Sequence, residues 1–160
     1  MRAILPVLLL PILLLMASPV AARETLDQFG SWGAFRDSGH CYAIAETTNR
    51  RDGASVAVSS SPARGVRIQF HARLSRQVDP GRPAAVRVGG VTTPLIARDR
   101  DAWAADGRAD LRILAAIRSG DTLAVTATDA RGRRFTDRYA LTGAASAIDT
   151  AMIGCLGNGA

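Results

Sequence analysis

The alternation of apolar and polar residues is clearest in residues 66–74. Apolar side chains occupy every second position, and Arg67, Gln69, His71 and Arg73 occupy the positions between them. A period of two places successive side chains on opposite faces of a strand. The segment therefore predicts a half-buried strand with a polar outer face.

Shorter segments with a similar pattern predict further strands. A turn at 37–39 separates the first two, and Gly89-Gly90 favours a tight hairpin because glycine accepts positive φ. Residues 23–31 are interpreted as a polar lead-in and 47–53 as a polar loop. Trp32 and Trp103 are predicted to anchor the core, since large aromatic side chains dominate small cores. The predicted strands are 31–36, 41–46, 54–60, 84–88, 91–95, 122–128, 133–141 and one around Trp103.

Two segments change to a helical period. In residues 109–119, Ile113, Ala116 and Ile117 share one face, with Asp106 or Asp110 as the cap and Gly120 at the end. In residues 144–155, apolar positions recur at helical spacing and include Cys155. The pattern predicts a mainly β fold: a small β-sandwich-like domain with one inserted helix and a C-terminal helix, with α+β as the alternative.

The N-terminal segment has the order of a secretory signal. Arg2 precedes an apolar run from Ile4 to Met16, and Val20-Ala21-Ala22 is a small-x-small cleavage pattern. We expect residues 1–22 to be a signal peptide and 23–160 to be a single domain. No lipoprotein cysteine follows the run, and no second apolar stretch is long enough to span a bilayer. The sequence therefore predicts a periplasmic or secreted protein without a transmembrane span after cleavage.

The chain has a net charge of +6, and all 20 of its basic residues are arginine. This bias is typical of GC-rich genomes, and without a reader motif it predicts no nucleic-acid partner. A cluster around the strand at 66–74 is nevertheless a candidate anion-binding face, because guanidinium groups bind phosphate and carboxylate in a bidentate manner. A solvated outer face is the alternative. The cluster comprises Arg64, Arg67, His71, Arg73 and Arg76.

The two cysteines, Cys41 and Cys155, are predicted to form a disulfide in an oxidising compartment. Closing a loop of this length contributes about 4–5 kcal/mol in the loop-entropy model. A redox or nucleophilic thiol is the alternative, but no Cys-x-x-Cys spacing or activating neighbour is present. No close pair of metal ligands occurs, so neither a metal nor a cofactor is expected.

Catalytic motifs offer little support for an enzyme. There is no Gly-x-Ser-x-Gly elbow. His40 and His71 are the candidate bases, and the alternative function is a hydrolase that uses His71. The acids Asp99, Asp101, Asp106 and Asp110 are interpreted as loop and helix-capping residues. We therefore expect no catalytic residues and no enzymatic activity.

The ordered set of segments resembles the invasion-associated locus B family of exported α-proteobacterial proteins, in the divergent form of sphingomonad-type bacteria. Typical members have a cysteine soon after the first Trp and others mid-chain, and this chain lacks them. The resemblance implies an exported, non-catalytic protein that acts by binding an envelope protein or an anionic surface component. A binder of anionic lipid or polysaccharide through the arginine-rich strand is the alternative. The similar segments are 29–35, 41–45, 66–74, 86–95, 102–104, 116–120 and 139–144.

Overall fold

The computed structural model describes residues 23–48 and 53–156, which contain ten strands, two α-helices and a 3-10 turn at Pro62–Arg64. The predicted signal peptide and part of the 47–53 loop lie outside the described residues. The elements are β1 (Glu24–Phe29), β2 (Trp32–Asp37), β3 (His40–Glu46), β4 (Ser55–Ser61), β5 (Val66–Arg73), β6 (Ala84–Val88), β7 (Val91–Arg98), β8 (Asp101–Ala104), α1 (Gly107–Ser119), β9 (Thr122–Thr128), β10 (Arg134–Ala140) and α2 (Ala144–Leu156).

The strands form one antiparallel sheet in the order β1-β2-β3-β4-β5-β8-β7-β6-β9-β10. The sheet curls so that its last strand returns to its first half. The buried indole nitrogen of Trp32 donates to the Ala140 carbonyl at 2.8 Å, and the Thr48 amide donates to the Arg138 carbonyl at 3.0 Å. The predicted mainly β fold with one inserted and one C-terminal helix is confirmed.

Both helices pack on the inner face of the sheet. α1 begins at Asp106, whose carboxylate accepts the Ala109 amide at 2.8 Å, so this residue is the cap. Asp110 is buried instead, and its carboxylate accepts the Phe70 amide at 2.7 Å. β8 pairs only with residues 71–73 of β5, so the amide of Phe70 has no partner on β8. The carboxylate of Asp110 takes the place of that missing strand partner.

α2 covers β1 to β4 and is joined to the sheet by the predicted cysteine pair. Cys41 on β3 and Cys155 in the last turn of α2 form a disulfide, with sulfur atoms 2.10 Å apart and Cα atoms 5.7 Å apart. α2 buries Ala144, Ala147 and Ile148 against the core. The covalent link and the apolar stripe thus hold α2 on the early strands.

Residues 23–31 are not only a polar lead-in, so that prediction was wrong. Residues 24–29 form the edge strand β1, which pairs with β2 through a register shift between Thr25 and Asp27. Leu26 packs against the core beside Gly154 of α2. Two half-buried apolar side chains, Leu26 and Phe29, together with backbone pairing are enough for an edge strand, because its other face meets solvent.

Among the described residues, no helix has the length and apolarity needed to cross a membrane.

Candidate binding groove on the outer face of the sheet

The candidate anion-binding residues are divided between a strand face and the segments that flank it. Arg67, His71 and Arg73 lie on the outer face of β5, alternating with the buried side chains of Phe70 and Ala72. Arg64 lies in the 3-10 turn before the strand, and Arg76 lies after its end. The predicted alternation is therefore confirmed, while the five residues do not form one continuous row.

Two of the four arginines are already paired with aspartates. The guanidinium of Arg73 lies 3.0 Å from a carboxylate oxygen of Asp101, and that of Arg76 lies 3.3 Å from Asp129. Asp129 is itself enclosed by Arg133, whose backbone amide is the main reason that its pKa is lowered to about 2. Arg64 and Arg67 form no ion pair with any described residue.

Asp101 also fixes the orientation of His71. Its other carboxylate oxygen lies 2.8 Å from Nε2 of His71, and β8 places Trp103 directly opposite that histidine. The imidazole and indole rings are stacked, with centroids 5.3 Å apart. His71 is thus held between a carboxylate and an aromatic ring.

Trp103 was expected in the core, and this prediction was wrong. Its strand neighbour Ala102 is fully buried, whereas Trp103 stands half-buried on the outer face. Successive residues of a strand point to opposite faces, so only one of the two can enter the core. Trp32 does lie in the core, with no exposed surface.

A groove runs along β4 because the outer side chains of this strand are small. Ala57 and Ser59 form its floor, and the cross-strand pairs place larger side chains on both sides. Tyr42 of β3 and Gln69 of β5 flank Ser59, so the walls stand two strand spacings apart, roughly 10 Å. The groove has a volume of about 430 Å³ and also includes His40, His71, Asp101 and Trp103.

The groove combines unused hydrogen-bonding groups with balanced charge. The Tyr42 hydroxyl, the Ser59 hydroxyl and the Gln69 carboxamide have no hydrogen bond to another described side chain or backbone group. Together they offer both donors and acceptors. The carboxylate of Asp101, in contrast, is already shared between His71 and Arg73. The hydrogen-bonding groups that remain free to bind a ligand are therefore uncharged.

The parts of a hydrolytic triad are divided between two histidines. His71 contacts the carboxylate of Asp101 but no described serine, while Nδ1 of His40 lies 2.6 Å from the Ser61 hydroxyl without a contact to a described carboxylate. Nucleophilic catalysis needs the nucleophile, the base and the orienting group in one chain of contacts. Within the described residues there is also no cluster of three His, Cys, Asp or Glu side chains suited to a metal ion.

Sequence reasoning identified His71 but missed most of its surroundings. Gln69 was visible on the same polar face of the predicted strand. Tyr42, Ser59, Asp101 and Trp103 come from other strands and reach the groove through cross-strand register. The order β4-β5-β8, which skips two intervening strands, carries no local signal.

The fold is similar to that of a solved protein, the invasion associated protein b from Bartonella henselae. The two share 17% identity with a TM-score of 0.63, and the similarity covers 82% of this chain and 98% of that chain. No protein-family model and no curated protein sequence matches this chain. At this identity the likeness concerns the three-dimensional fold. This chain therefore has a fold like that of invasion associated protein b.

Proposed function

We propose that this chain is an exported, non-catalytic binding protein and a divergent, sphingomonad-type member of the invasion-associated locus B family. The signal pattern of residues 1–22, the Cys41–Cys155 pair and the similar fold support export to the periplasm or the medium. Its recognition surface is the outer-face groove between β3, β4, β5 and β8.

The composition of the groove favours an uncharged ligand rich in hydroxyl or amide groups, such as a neutral oligosaccharide. This conclusion depends on one observation: the hydrogen-bonding groups of Tyr42, Ser59 and Gln69 are unused, while the groove's carboxylate is neutralised. A site with mixed donors and acceptors rejects ligands that leave those groups unpaired. A charged ligand would gain no counter-charge here.

Titration calorimetry with a panel of neutral oligosaccharides tests the proposed ligand class. We expect Gln69→Ala to weaken binding about tenfold, because one hydrogen bond contributes about 1.4 kcal/mol. The matched control is Gln77→Ala, an exposed glutamine outside the groove. Affinity should not change with salt, since no ion pair forms. Equal losses in both variants, or no binding by any neutral sugar, would contradict the proposal.

Export and the disulfide are tested on protein recovered from the periplasm and the medium. Mass spectrometry should give a chain that begins at Arg23 and whose mass is lower by two hydrogen atoms than that of the same chain after reduction. A chain retained in the cytoplasm with its first 22 residues, or two free thiols under non-reducing denaturation, would contradict this part of the proposal.

The contact between His71 and Asp101 is what favours a hydrolase as the second candidate function. In such an enzyme His71 would be the base and Asp101 the carboxylate that orients it. The proposal assigns this pair to the wall of the groove. On ester, glycoside and peptide panels, the wild type and His71→Ala should therefore be equally inactive. Turnover that disappears in His71→Ala would identify an enzyme.

A further inference from the structure

A second cluster of arginines lies on the other half of the sheet. Arg87 of β6 and Arg134 and Arg138 of β10 are all exposed on the outer face. None of the three forms an ion pair with a described residue. This distinguishes them from Arg73, Arg76 and Arg118, each of which is paired with an aspartate.

Cross-strand register brings these arginines around one small residue. Ala124 of β9 lies directly between Arg87 and Arg138, and the next outward position on β9 places Thr126 beside Thr136. Two strand spacings, roughly 10 Å, separate the flanking backbones, and arginine side chains are long enough to converge over a buried alanine. Because the side chain of Ala124 is a single methyl group, the floor between the two arginines is low.

The resulting shallow pocket has a volume of about 290 Å³ and no acidic residue in its lining. Its remaining polar groups are threonine hydroxyls, and those of Thr126 and Thr136 lie 3.2 Å apart. Hydroxyl groups donate hydrogen bonds to anionic oxygens, and guanidinium groups bind them in a bidentate manner. The lining residues are Ala85, Arg87, Thr92, Ala124, Thr126, Arg134, Thr136 and Arg138.

We propose that this pocket, defined by Arg87, Arg134 and Arg138, binds a phosphate-bearing ligand. Three uncompensated positive charges around a floor of alanine and threonine match a group with two or more negative charges. The phosphate belongs either to a soluble compound or to a lipid headgroup, and the recognition chemistry is the same for both. The site is separate from the groove beside β4 and does not depend on the ligand proposed there.

The test measures binding of inorganic pyrophosphate by calorimetry and of vesicles by co-sedimentation. Vesicles of phosphatidylcholine with phosphatidic acid are compared with vesicles of phosphatidylcholine alone. We expect Arg87→Gln and Arg138→Gln each to weaken pyrophosphate binding at least tenfold, and rising salt to weaken wild-type binding. Arg138→Lys should recover part of the affinity, because lysine keeps the charge but lacks the planar fork.

Arg67→Gln is the matched control, since Arg67 is an exposed arginine without a described ion pair on the other half of the same sheet. It removes the same net charge and should bind like the wild type. Pyrophosphate binding without binding to phosphatidic acid vesicles supports a soluble ligand, whereas binding to both supports a lipid headgroup. The proposal is overturned if neither probe binds, if the control loses as much affinity as Arg87→Gln, or if the Arg87→Gln/Arg138→Gln variant binds like the wild type. Thermal unfolding of each variant confirms that the fold is retained.

Discussion

The disulfide between Cys41 and Cys155 is predicted to contribute a large part of the free energy of unfolding of this fold. The bond closes a loop that spans 114 positions, from an early strand to the last turn of the terminal helix. Removing it in a Cys41→Ala/Cys155→Ala variant frees nearly the whole domain in the unfolded state. The folded contacts of α2 with β1 to β4 remain available.

The loop-entropy relation gives the size of this effect. For a loop of 114 positions, the bond lowers the entropy of the unfolded chain enough to stabilise the fold by about 4.8 kcal/mol at 25 °C. Natural domains have about 5–15 kcal/mol of total stability. Loss of the bond is thus expected to remove a third or more of the free energy of unfolding.

Urea unfolding of the two proteins measures the difference. With a dependence on urea of about 2 kcal/mol per molar, the midpoint should fall by roughly 2 M. The reduced wild-type protein is the matched control, because it lacks the bond but keeps both sulfur atoms. Its midpoint should lie near that of the double variant. If the free energy of unfolding falls by less than about 1 kcal/mol in both the double variant and the reduced wild type, the disulfide does not stabilise the fold by restricting the unfolded chain.

Three further predictions concern single residues. Gly143→Ala should destabilise the fold by more than about 2 kcal/mol in urea unfolding, because Gly143 has a φ of +86° and a Cβ there would lie 2.2 Å from the Phe29 carbonyl oxygen. The pKa of Asp129 is lowered to about 2, so its carboxylate should stabilise the fold fully above about pH 4 and lose this contribution as the pH falls through 2. Unfolding measured in steps from pH 5 to pH 2 tests this. Asp110→Asn should be at least as stable as the wild type at pH 7 in urea unfolding, because burial raises the pKa of Asp110 and an amide oxygen can still accept the Phe70 amide.

Each of these predictions has a matched comparison. Gly39 also has positive φ, at +78°, but a Cβ there would meet nothing within 4 Å, so Gly39→Ala should cost only about 1 kcal/mol. Asp129→Asn should remove the acid-dependent slope below pH 4; a slope that survives would assign it to other carboxylates. Asp110→Ala should lose about 1–3 kcal/mol, because it leaves the strand amide unsatisfied. An Asn variant as weak as the Ala variant would show that the charge itself is needed.

The sequence pattern predicted the elements better than it predicted their faces. In β5 the alternation extends over the whole strand, so the buried and exposed sides of Phe70 and His71 were both correct. β8 has four residues, too few for a period of two to show which side is apolar, and Trp103 was placed on the wrong face. β1 was missed because an edge strand needs little apolar surface.

The groove could not be predicted from the sequence, because no local pattern brings its residues together. Tyr42, Ser59 and Gln69 are separated along the chain and become neighbours through two successive cross-strand pairs. Asp101 and Trp103 arrive from β8, which pairs with β5 after the chain has formed β6 and β7. Sequence reasoning identifies the residue types on a face, but the pairing register decides which of them meet.

The pairing register of the strands also decides which arginines are neutralised, and this changes where an anion would bind. Arg73 and Arg76 are close in the sequence, yet their aspartate partners come from 28 and 53 positions away and neutralise them. Arg87 and Arg138 are far apart in the sequence, yet they face each other across Ala124 without an acidic neighbour in the pocket. A cluster of charges along a chain is therefore weaker evidence for an anion site than a set of like charges that register leaves uncompensated. On this sheet, the β6-β9-β10 half is therefore favoured over β5, where two of the four arginines are paired with aspartates, as the place where an anionic ligand binds.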